Sequence, residues 1–267
     1  MKKHRKGEGK TVLITGASNG FGMEFAKLFA KDGYNLILVA RSTNRMKALA
    51  YSLQDAYKLE KVCVVTSDLS RIESPQKIYN EVKKTGLTVD VLVNNAGSGH
   101  FGYFYKTPLQ RELDIIQLNA TSLMQLTKLF LKDMKQRNEG KILNLGSVAS
   151  FSPTPLQAIY GATKAYILSF SEALANELKD TNITVTTLCP GASNTDFFHK
   201  AHGATTRVAN GPLSEPEEVA RDGYKAMMKG ELKVISGAMN KAQVDLTRVS
   251  SDAAMATTMQ KMDKEME

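Results

Sequence analysis

The feature that most constrains this fold is a repeated alternation between short apolar runs and longer segments with helical periodicity. Several runs are almost continuous in Val, Ile and Leu, which is typical of strands covered on both faces. A strict order of strand and helix predicts parallel strands joined by right-handed crossovers, and hence an α/β fold with a doubly wound sheet. The predicted strands cover residues 11–15, 35–40, 61–65, 89–94, 141–145, 183–189 and 233–235.

The sequence predicts one domain, because no linker, repeat or low-complexity segment divides the 267 residues. We expect this domain to cover residues 11–240, between a basic flexible tail at 1–10 and a helical C-terminal extension at 241–267. A stretch rich in Gly, Thr and Asn at 191–213 is expected to form a long loop. Loops of this length inside compact domains are usually lids or disordered segments.

Four methionines in the extension predict an amphipathic helix. Their spacings of four, three and four residues place them on one helical face. We expect this face to pack against the domain or a second subunit, and the alternative is that it faces a substrate. The four residues are Met255, Met259, Met262 and Met266.

The net charge of +8, from 35 Lys and Arg against 27 Asp and Glu, raises the question of a nucleic-acid or anionic membrane partner. Half of this excess lies in residues 1–10, which hold five basic residues and one acidic residue. The rest of the chain is nearly balanced, so we expect no nucleic-acid partner. We interpret the tail as a solvated terminus, with anchoring to an anionic surface or to nucleic acid as the alternative.

Composition and cysteine spacing predict a cytoplasmic protein. Its 42% hydrophobic and 23% charged residues are typical of a globular rather than a disordered chain. No run reaches the roughly 18 apolar residues of a membrane span, and the basic stretch is not followed by a secretory signal. Cys63 and Cys189 lie far apart in apolar runs, which favours free thiols over a disulfide framework or a zinc site.

A glycine-rich turn follows the first predicted strand. Gly16, Gly20 and Gly22 form the pattern G-x-x-x-G-x-G where this strand leads into a helix. The helix N-terminus offers free N–H groups and a positive dipole end to a pyrophosphate, and glycine lets the backbone approach it. A glycine turn without a ligand is the alternative, but the position in a βαβ pattern favours dinucleotide binding.

The end of the second predicted strand bears on the choice of dinucleotide. Proteins that bind NAD usually place Asp or Glu there to accept from the ribose 2′-hydroxyl. Residues 35–47 contain no carboxylate, and Arg41 follows the strand directly, with Ser42 and Arg45 nearby. A guanidinium suits a 2′-phosphate. We therefore predict NADP(H) rather than NAD(H), with a solvated surface arginine as the alternative.

Tyr160 and Lys164 are four residues apart in YGATK, so a helix would place them on one face. A free tyrosine has a pKa of about 10, which is too high for a base at neutral pH. We expect the Lys164 ammonium to lower this pKa by about 2–3 pH units, into the range where general acid–base catalysis is effective. On its own, such a pair is a common surface feature.

Together these motifs resemble the short-chain dehydrogenase/reductase family, over about residues 10–240. The segment TGASNGFG is similar to the family's cofactor loop, Asn94-Asn95-Ala96-Gly97 to its motif after the fourth strand, and YGATK to its active-site motif. Ser147 stands thirteen residues before Tyr160, the spacing that the family uses. Asn119 lies where the family has its fourth catalytic residue.

The resemblance implies a Rossmann-type sheet with helices on both faces and the single-domain, NADP-preferring subtype, in which 191–213 is a substrate loop. Asp68 matches an aspartate that contacts adenine, and Pro190, Gly191 and Thr195 match the segment that holds the nicotinamide carboxamide. The implied cofactor-binding residues are Gly16, Ser18, Asn19, Gly20, Phe21, Gly22, Arg41, Asp68, Leu69, Asn95, Ala96, Gly97, Tyr160, Lys164, Pro190, Gly191 and Thr195.

The resemblance also implies roles for four catalytic residues. Tyr160 would give a proton to a carbonyl oxygen in reduction or take it from an alcohol in oxidation. Lys164 would lower the tyrosine pKa and hold the nicotinamide ribose. Ser147 would hydrogen-bond the substrate oxygen, and Asn119 would position a water of a proton relay. The nicotinamide carries the hydride, so no metal is needed.

Two positions depart from the family pattern. Asn19 stands where NADP-preferring members often carry a basic residue, so the preference would rest mainly on Arg41. His100 stands in a loop where related members usually have an apolar residue, and it either lines the substrate pocket or is solvated. The spacing of the four histidines predicts no metal site; they are His4, His100, His199 and His202.

The loops above the carboxyl ends of the strands set specificity in this fold. Loops 97–107, 148–157 and 191–213 are rich in apolar residues and lack a cluster of Arg or Lys. This favours a lipophilic ketone or secondary alcohol, whether steroid-like, aliphatic or 3-oxoacyl, although half of these side chains could belong to the core. They are Phe101, Tyr103, Phe104, Tyr105, Phe151, Leu156, Phe197 and Phe198.

We therefore expect an oxidoreductase that interconverts a ketone and a secondary alcohol with NADP(H). The alternative is a module that senses NADP(H) without turnover, but such a module has no need of Ser147, Tyr160 and Lys164 together. The balanced charge of the body disfavours a nucleic-acid-binding role. Family members often assemble through their long helices, here about 108–136 and 157–179, which predicts a homodimer or homotetramer.

Overall fold

The computed structural model describes residues 5–247, 249–264 and 266. Seven parallel strands form one sheet in the order β3-β2-β1-β4-β5-β6-β7, which confirms the predicted doubly wound α/β fold. Three predicted strands differ by one or two residues at their ends. The strands are β1 Thr11–Thr15, β2 Asn35–Ala40, β3 Val62–Thr66, β4 Val91–Asn94, β5 Gly140–Leu145, β6 Ile183–Cys189 and β7 Lys233–Ile235.

Helices connect the strands and cover both faces of the sheet. A π-helical turn at Gln117–Thr121 joins α4 to α5, and a 3-10 turn at Val148–Ser150 follows β5. No helix in the described part of the chain is long and apolar enough to span a membrane. The helices are α1 Gly20–Lys31, α2 Thr43–Tyr57, α3 Ser74–Lys84, α4 Leu109–Ile116, α5 Ser122–Arg137, α6 Ala158–Glu177, α7 Phe197–Lys200, α8 Pro216–Lys229, α9 Ala238–Thr247 and α10 Asp252–Asp263.

A hydrophobic core lies on each face of the sheet, because successive strand residues point to opposite faces. In β1, Val12 and Ile14 belong to the core that contains Phe25 of α1. The residue between them, Leu13, belongs to the opposite core with Phe130 of α5. All five side chains are buried. The central strands therefore read as continuous apolar runs in the sequence.

A series of buried polar side chains links the sheet to α5 and α6. Asn94 donates to Thr127 at 3.0 Å and to Asn144 at 2.9 Å. Asn144 in turn donates to Ser171 at 2.9 Å. Buried polar groups cost free energy unless they are hydrogen-bonded, so these bonds fix the carboxyl ends of β4 and β5 relative to the two helices.

Residues 5–10 contact the domain instead of extending into solvent. The Gly7 N–H donates to the Asp32 carbonyl at 2.8 Å. Gly7 is buried, and a Cβ on it would overlap the ring of Tyr34. This part of the predicted flexible tail therefore differs from the expected solvated terminus, while residues 1–4 lie outside the described residues.

The C-terminal extension consists of α9 and α10. Met255 and Met259 are buried, Met262 is half-buried and Met266 is exposed. The methionine face predicted from the sequence thus packs against the domain over its first turns. Met259 also lines the cavity described below. The methionine face therefore both packs against the domain and contributes to a binding site, which are the two alternatives expected from the sequence.

Candidate active site

A cavity of roughly 760 Å³ opens at the carboxyl edge of the sheet. It lies where the strand order reverses between β1 and β4, which is the usual ligand site of open α/β sheets. The segments that follow β1 to β6 form its wall, together with residues of α6 and α10. Residues that are far apart in the sequence therefore meet at one edge of the sheet.

The turn after β1 needs glycine for two different reasons. Gly16 and Gly20 have φ angles of +66° and +51°, a backbone region that favours glycine. Gly22 is needed for its small size, because a Cβ there would lie 2.3 Å from the Gly16 carbonyl oxygen and 2.6 Å from Asn95 Nδ2. The start of α1 therefore packs directly on the turn, with Gly20 and Phe21 in the cavity wall.

The segment after β4 holds this turn in place. The Thr15 hydroxyl accepts from the main-chain N–H groups of Asn95 and Ala96, both at 3.0 Å. The Asn95 side chain donates to the carbonyl oxygens of Thr15 at 2.9 Å and Gly16 at 3.3 Å. Asn95, Ala96 and Gly97 line the cavity. Asn95 thus fixes the main chain of the glycine turn by hydrogen bonds.

Arg41 and Asp68 line the end of the cavity beside β2 and β3. Burial alone raises the pKa of Asp68, but hydrogen bonds from Ser70 and the charges of Arg41 and Arg71 lower it below its usual value. The Asp68 carboxylate accepts from the Ser70 N–H at 3.0 Å and from its hydroxyl at 2.8 Å. Leu69 is buried beside it. This end of the cavity therefore presents an ionised carboxylate and an exposed guanidinium.

Ser147 is held by a capping box at the end of β5. Its Oγ accepts from the Ala149 N–H at 3.1 Å, and its own N–H donates to Ser150 Oγ at 3.2 Å. The Ser150 hydroxyl donates to the Lys164 carbonyl at 2.9 Å. Ser147 is thereby fixed relative to α6. Ser150 was not predicted from the sequence and is a positioning residue.

Tyr160 and Lys164 lie one turn apart on α6, and both line the cavity. The Lys164 ammonium donates to the Leu145 carbonyl at 2.7 Å and lies 5.6 Å from the centre of the Tyr160 ring. The Tyr160 ring also contacts Phe197, with 5.2 Å between ring centres. The phenol thus stands between the buried lysine and the segment after β6.

The prediction that Lys164 lowers the pKa of Tyr160 is wrong in this structure. Burial raises the pKa of the Tyr160 phenol to about 12; hydrogen bonding by Ser147 opposes this, and the charge of Asp263 adds to it. Burial also lowers the pKa of Lys164 to about 8. Removal from water disfavours the charged form of both groups, so the phenol keeps its proton at neutral pH.

Asn119 lies behind the cavity wall formed by the described residues. Its side chain accepts from the Ser98 N–H at 2.9 Å and donates to the Ser98 carbonyl at 2.9 Å and to Thr163 Oγ1 at 3.0 Å. These bonds join the segment after β4 to α6. Asn119 lies in the π-helical turn Gln117–Thr121, a rare backbone form that is frequent at functional sites.

The segment after β6 closes the opposite side of the cavity, which is lined by Pro190, Gly191 and Thr195. A Cβ on Gly191 would lie 2.2 Å from Asn240 Oδ1, so α9 packs directly against this segment. Thr195 lies against the glycine turn, where a Cβ on Gly20 would be 3.2 Å from its methyl group. The glycine turn and the segment after β6 are therefore neighbours in the cavity wall.

Asn19 ties the glycine turn to the predicted substrate loop 191–213. Its amide donates to the Asp196 carboxylate at 2.8 Å, and Lys200 and Arg45 lie 3.2 Å and 4.0 Å from the same carboxylate. Hydrogen bonds from Asn19 and Lys200 hold the pKa of Asp196 below its usual range. The loop contains α7 and is joined to the turn by an ionised group.

Nearly all predicted site residues are brought together in the cavity wall. Gly22 and Asn119 are absent from the wall that the described residues form, and they pack behind it. The predicted residues in the wall are Gly16, Ser18, Asn19, Gly20, Phe21, Arg41, Asp68, Leu69, Asn95, Ala96, Gly97, Ser147, Tyr160, Lys164, Pro190, Gly191 and Thr195.

The apolar part of the wall differs from the expected set of eight loop side chains. Phe197 and Phe198 line the cavity. Tyr103, Phe104 and Tyr105 are exposed on the surface instead, and the other three do not line it within the described part of the chain. Apolar wall residues outside that set include Leu118, Leu145, Val148, Ala149, Val208 and Met259.

The helix α10 also contributes a polar group to the cavity, which was not predicted from the sequence. Asp263 lines the cavity together with Gln157, which precedes α6 and donates to the Asp263 carboxylate at 3.1 Å. Burial raises the pKa of Asp263 to about 6, and the bond from Gln157 offsets part of this effect. The sequence could have indicated this position of Asp263, because Met255, Met259 and Asp263 are spaced four residues apart and so lie on the same face of the helix.

Two of the four histidines lie side by side, with 5.2 Å between the ring centres of His100 and His202. Burial lowers the pKa of His100, so its ring is neutral at neutral pH. Among the residues that the structure describes, no group of three His, Cys, Asp or Glu side chains could hold a metal ion. His4 lies outside the described residues.

Curated relatives of this chain are dehydrogenases and reductases. It is 33% identical to a very-long-chain 3-oxoacyl-CoA reductase of Laccaria bicolor over 225 residues, which cover 83% of this chain and 64% of that protein. It is 31% identical to the 17-beta-hydroxysteroid dehydrogenase type 3 of Mus musculus over 206 residues, which cover 76% and 66%. The match thus covers less than two thirds of the length of these two relatives, and about half (53%) of a very-long-chain 3-oxoacyl-CoA reductase of Phaeosphaeria nodorum.

The fold is shared with solved structures. A short-chain dehydrogenase from Sphingobium yanoikuyae in complex with NADPH has a TM-score of 0.81 and 32% identity, covering 94% of this chain and 95% of that chain. The family model of the short chain dehydrogenases matches residues 10–205, from β1 through the segment after β6. This match includes the glycine turn and the Tyr160–Lys164 pair, and the chain therefore belongs to the short chain dehydrogenase family.

Proposed function

We propose that this chain is an NADP(H)-dependent oxidoreductase that interconverts a ketone and a secondary alcohol. The observation that carries the proposal is a single cavity that joins Arg41 and the glycine turn to Ser147, Tyr160 and Lys164. Family membership and the NADPH complex of the Sphingobium yanoikuyae protein support it. The names of the two curated relatives, a 3-oxoacyl-CoA reductase and a hydroxysteroid dehydrogenase, agree with it.

The cavity wall fits a dinucleotide that carries a 2′-phosphate. A Cβ on Gly16 would lie 2.8 Å from the Asn95 side chain, so glycine lets the turn pack closely there, and the first N–H groups of α1 at this turn suit a pyrophosphate. Arg41 would hold the 2′-phosphate and Asp68 the adenine, while residues 190–195 would hold the carboxamide. When bound, the nicotinamide supplies or accepts the hydride.

Tyr160 would give its phenolic proton to the carbonyl oxygen in the direction of reduction. A pKa of about 12 keeps this proton in place at neutral pH, as the role requires. Ser147 Oγ accepts from the Ala149 N–H, and its hydroxyl donates a long bond of 3.5 Å to the Pro190 carbonyl, which it would exchange for a bond to the same substrate oxygen. A fixed donor at this position stabilises the negative charge that develops on the oxygen.

Lys164 would hold the nicotinamide ribose, since its ammonium has three N–H donors and one is used by Leu145. The side-chain amide of Asn119 is bonded to Ser98 and Thr163. We therefore assign Asn119 a positioning role as well, in which it holds the segment after β4 against α6.

The substrate would be a lipophilic ketone or secondary alcohol. The wall near Tyr160 carries apolar side chains, among them Val148, Phe197, Phe198 and Met259. The basic residues nearby are engaged, since Lys200 pairs with Asp196 and Arg111 donates to main-chain carbonyl groups. Steroid-like, aliphatic and 3-oxoacyl compounds all suit this wall.

A homodimer or homotetramer is proposed for the assembly of the chain. Apolar side chains on α4 and α6 are exposed, with Leu109 at 70% and Leu113 at 47%, and exposed apolar patches of this kind mark association surfaces. These helices lie within the segments 108–136 and 157–179 expected to mediate assembly. A monomer mass in solution would contradict this proposal.

The cytoplasmic location stays a prediction from the sequence.

The function is tested by offering the purified chain NADPH and NADH side by side with a panel of lipophilic ketones, and NADP⁺ and NAD⁺ with the secondary alcohols. The absorbance of the reduced nicotinamide reports turnover. We expect turnover, with NADPH preferred. Binding of NADPH without turnover of any compound would instead identify a module that senses NADP(H). The absence of both binding and turnover would overturn the proposal.

A further inference from the structure

One buried polar corner of the cavity has no part in the proposed proton transfer. It is formed by Gln157, just before α6, and Asp263, at the end of α10, whose exposed fractions are 8% and 3%. Gln157 Nε2 donates to Asp263 Oδ2 at 3.1 Å. Both residues line the cavity that contains Tyr160. The corner therefore faces the same space as the reacting groups.

Both side chains of this corner keep unused hydrogen-bond acceptors. Gln157 uses its N–H group on Asp263, and its Oε1 is buried without a partner among the described residues. A carboxylate can accept about four hydrogen bonds, and Gln157 is the one donor to Asp263 within the described ranges. Unpaired buried acceptors cost free energy, so this corner suits a ligand that brings a donor.

The corner is held in a fixed position relative to the phenol. The Gln157 carbonyl accepts from the Gly161 N–H at 2.9 Å and from Thr154 Oγ1 at 3.2 Å. Tyr160 follows three residues later, and the negative charge of Asp263 contributes to the raised pKa of its phenol. A substrate whose carbonyl oxygen reaches Tyr160 would therefore bring a neighbouring part of its structure to Asp263.

We propose that Gln157 and Asp263 form a second polar anchor that binds a hydrogen-bond donor, a hydroxyl or an ammonium group, on a lipophilic substrate away from its reacting carbonyl. This inference rests on the proposed function. Met259, one turn before Asp263, makes the adjoining wall apolar. A site built to accept a hydrogen bond discriminates strongly against a ligand that lacks the donor. The anchor thus selects hydroxylated or aminated ketones over plain ones.

The test uses the full chain with aliphatic 2-ketones in a series of chain lengths. At each length the far end is a methyl, a hydroxyl or a dimethylammonium group. We measure kcat/KM with NADPH, and we measure binding by the Tm shift in the presence of NADP⁺, where the ketone cannot react. At one or more lengths we expect a donor-bearing ketone to be preferred over the methyl ketone by about tenfold or more.

Asp263→Leu, which removes the acceptor oxygens, and Gln157→Met are expected to bring this preference close to one, in both turnover and binding. Asp252→Leu, which changes an exposed aspartate at the other end of α10, should keep the wild-type preference. Tighter binding of the dimethylammonium ketone than of the hydroxyl ketone would show that the anchor recognises the ligand through the charge of Asp263. Equal binding of the two ketones would show that it recognises only the hydrogen-bond donor.

The inference is overturned if donor-bearing ketones have no advantage, or if their advantage is the same in Asp263→Leu and Gln157→Met as in the wild type. The second result would mean that the bond between these residues only docks α10. Reduction of all ketones without preference contradicts the anchor alone. A binding preference without any turnover contradicts the proposed function alone, and no binding of any ketone contradicts both.

Discussion

The Lys164 ammonium donates a hydrogen bond to the Leu145 carbonyl at 2.7 Å, whereas 5.6 Å separates it from the centre of the Tyr160 ring. The lysine is buried at 3% exposure, and burial lowers its pKa to about 8. The end of β5 thus holds the ammonium in place over the Tyr160 ring. In this arrangement Tyr160 keeps its proton, which favours its role as a donor in reduction.

Lys164→Met should make the free energy of unfolding less dependent on alkaline pH. The folded pKa of about 8 lies below the usual 10.5, so the unfolded chain binds more protons between these values and wild-type stability rises with pH through this window. Lys164 contributes at most about 3 kcal/mol to this rise. Urea unfolding of both proteins between about pH 7 and pH 10 measures it.

The control is Lys135→Met, at an exposed lysine of α5, which should keep the wild-type pH dependence. Lys164→Met should also reduce kcat/KM for ketone reduction by about 100-fold or more, because it loses the proposed contact with the ribose and the orienting charge. The same pH dependence in Lys164→Met as in the wild type would contradict the lowered pKa.

Arg41→Ala should remove most of the preference for NADPH. The variant loses the exposed guanidinium that would pair with the 2′-phosphate, while NADH has no such group to lose. We expect the ratio of kcat/KM for NADPH over NADH to fall by about 10–100-fold, which is the scale of a charge-assisted hydrogen bond. Lys47→Ala, which removes an exposed positive charge from α2, serves as the control. An unchanged ratio in Arg41→Ala would show that NADP(H) is recognised elsewhere.

Gly22→Ala should weaken both the fold and the binding of NADPH. The new Cβ would lie 2.3 Å from the Gly16 carbonyl oxygen, so the turn or α1 must shift. Overpacking of this kind costs about 1–3 kcal/mol, which corresponds to a fall in Tm of roughly 2–10 °C for a chain of this size.

The matched control for Gly22→Ala is Gly211→Ala, where a Cβ would meet its nearest atom at an ordinary 3.4 Å. This control should leave the Tm and the affinity for NADPH near the wild-type values. Thermal melts with and without NADPH give both quantities. If Gly22→Ala also matched the wild type, close packing of α1 on the turn would not be required.

The strands could be predicted because a strand covered on both faces leaves a nearly continuous apolar run in the sequence. This held closely for β1, β2, β6 and β7. The strand β3 begins and ends one residue later than predicted, at Val62–Thr66. Its last residue, Thr66, is polar and exposed, so the apolar run does not mark the end of the strand.

The site could be predicted wherever a motif follows a strand directly, because the carboxyl ends of parallel strands meet at one edge. The contact between Gln157 and Asp263 could not be predicted, because the two residues are 106 positions apart in the sequence. Their contact depends on how α10 packs against the cavity. The raised pKa of Tyr160 was missed for a related reason. Helical spacing relates it to Lys164 but contains no information on burial.

Tyr160→Phe tests the central claim that this phenol transfers the proton to and from the substrate oxygen. Phenylalanine keeps the ring that contacts Phe197 and removes only the hydroxyl. The measurement is kcat/KM for the best ketone found with NADPH, followed by the absorbance of the reduced nicotinamide. We predict a loss of about 10²–10⁴-fold in a variant whose Tm is still raised by NADPH. Full turnover by Tyr160→Phe would contradict the account.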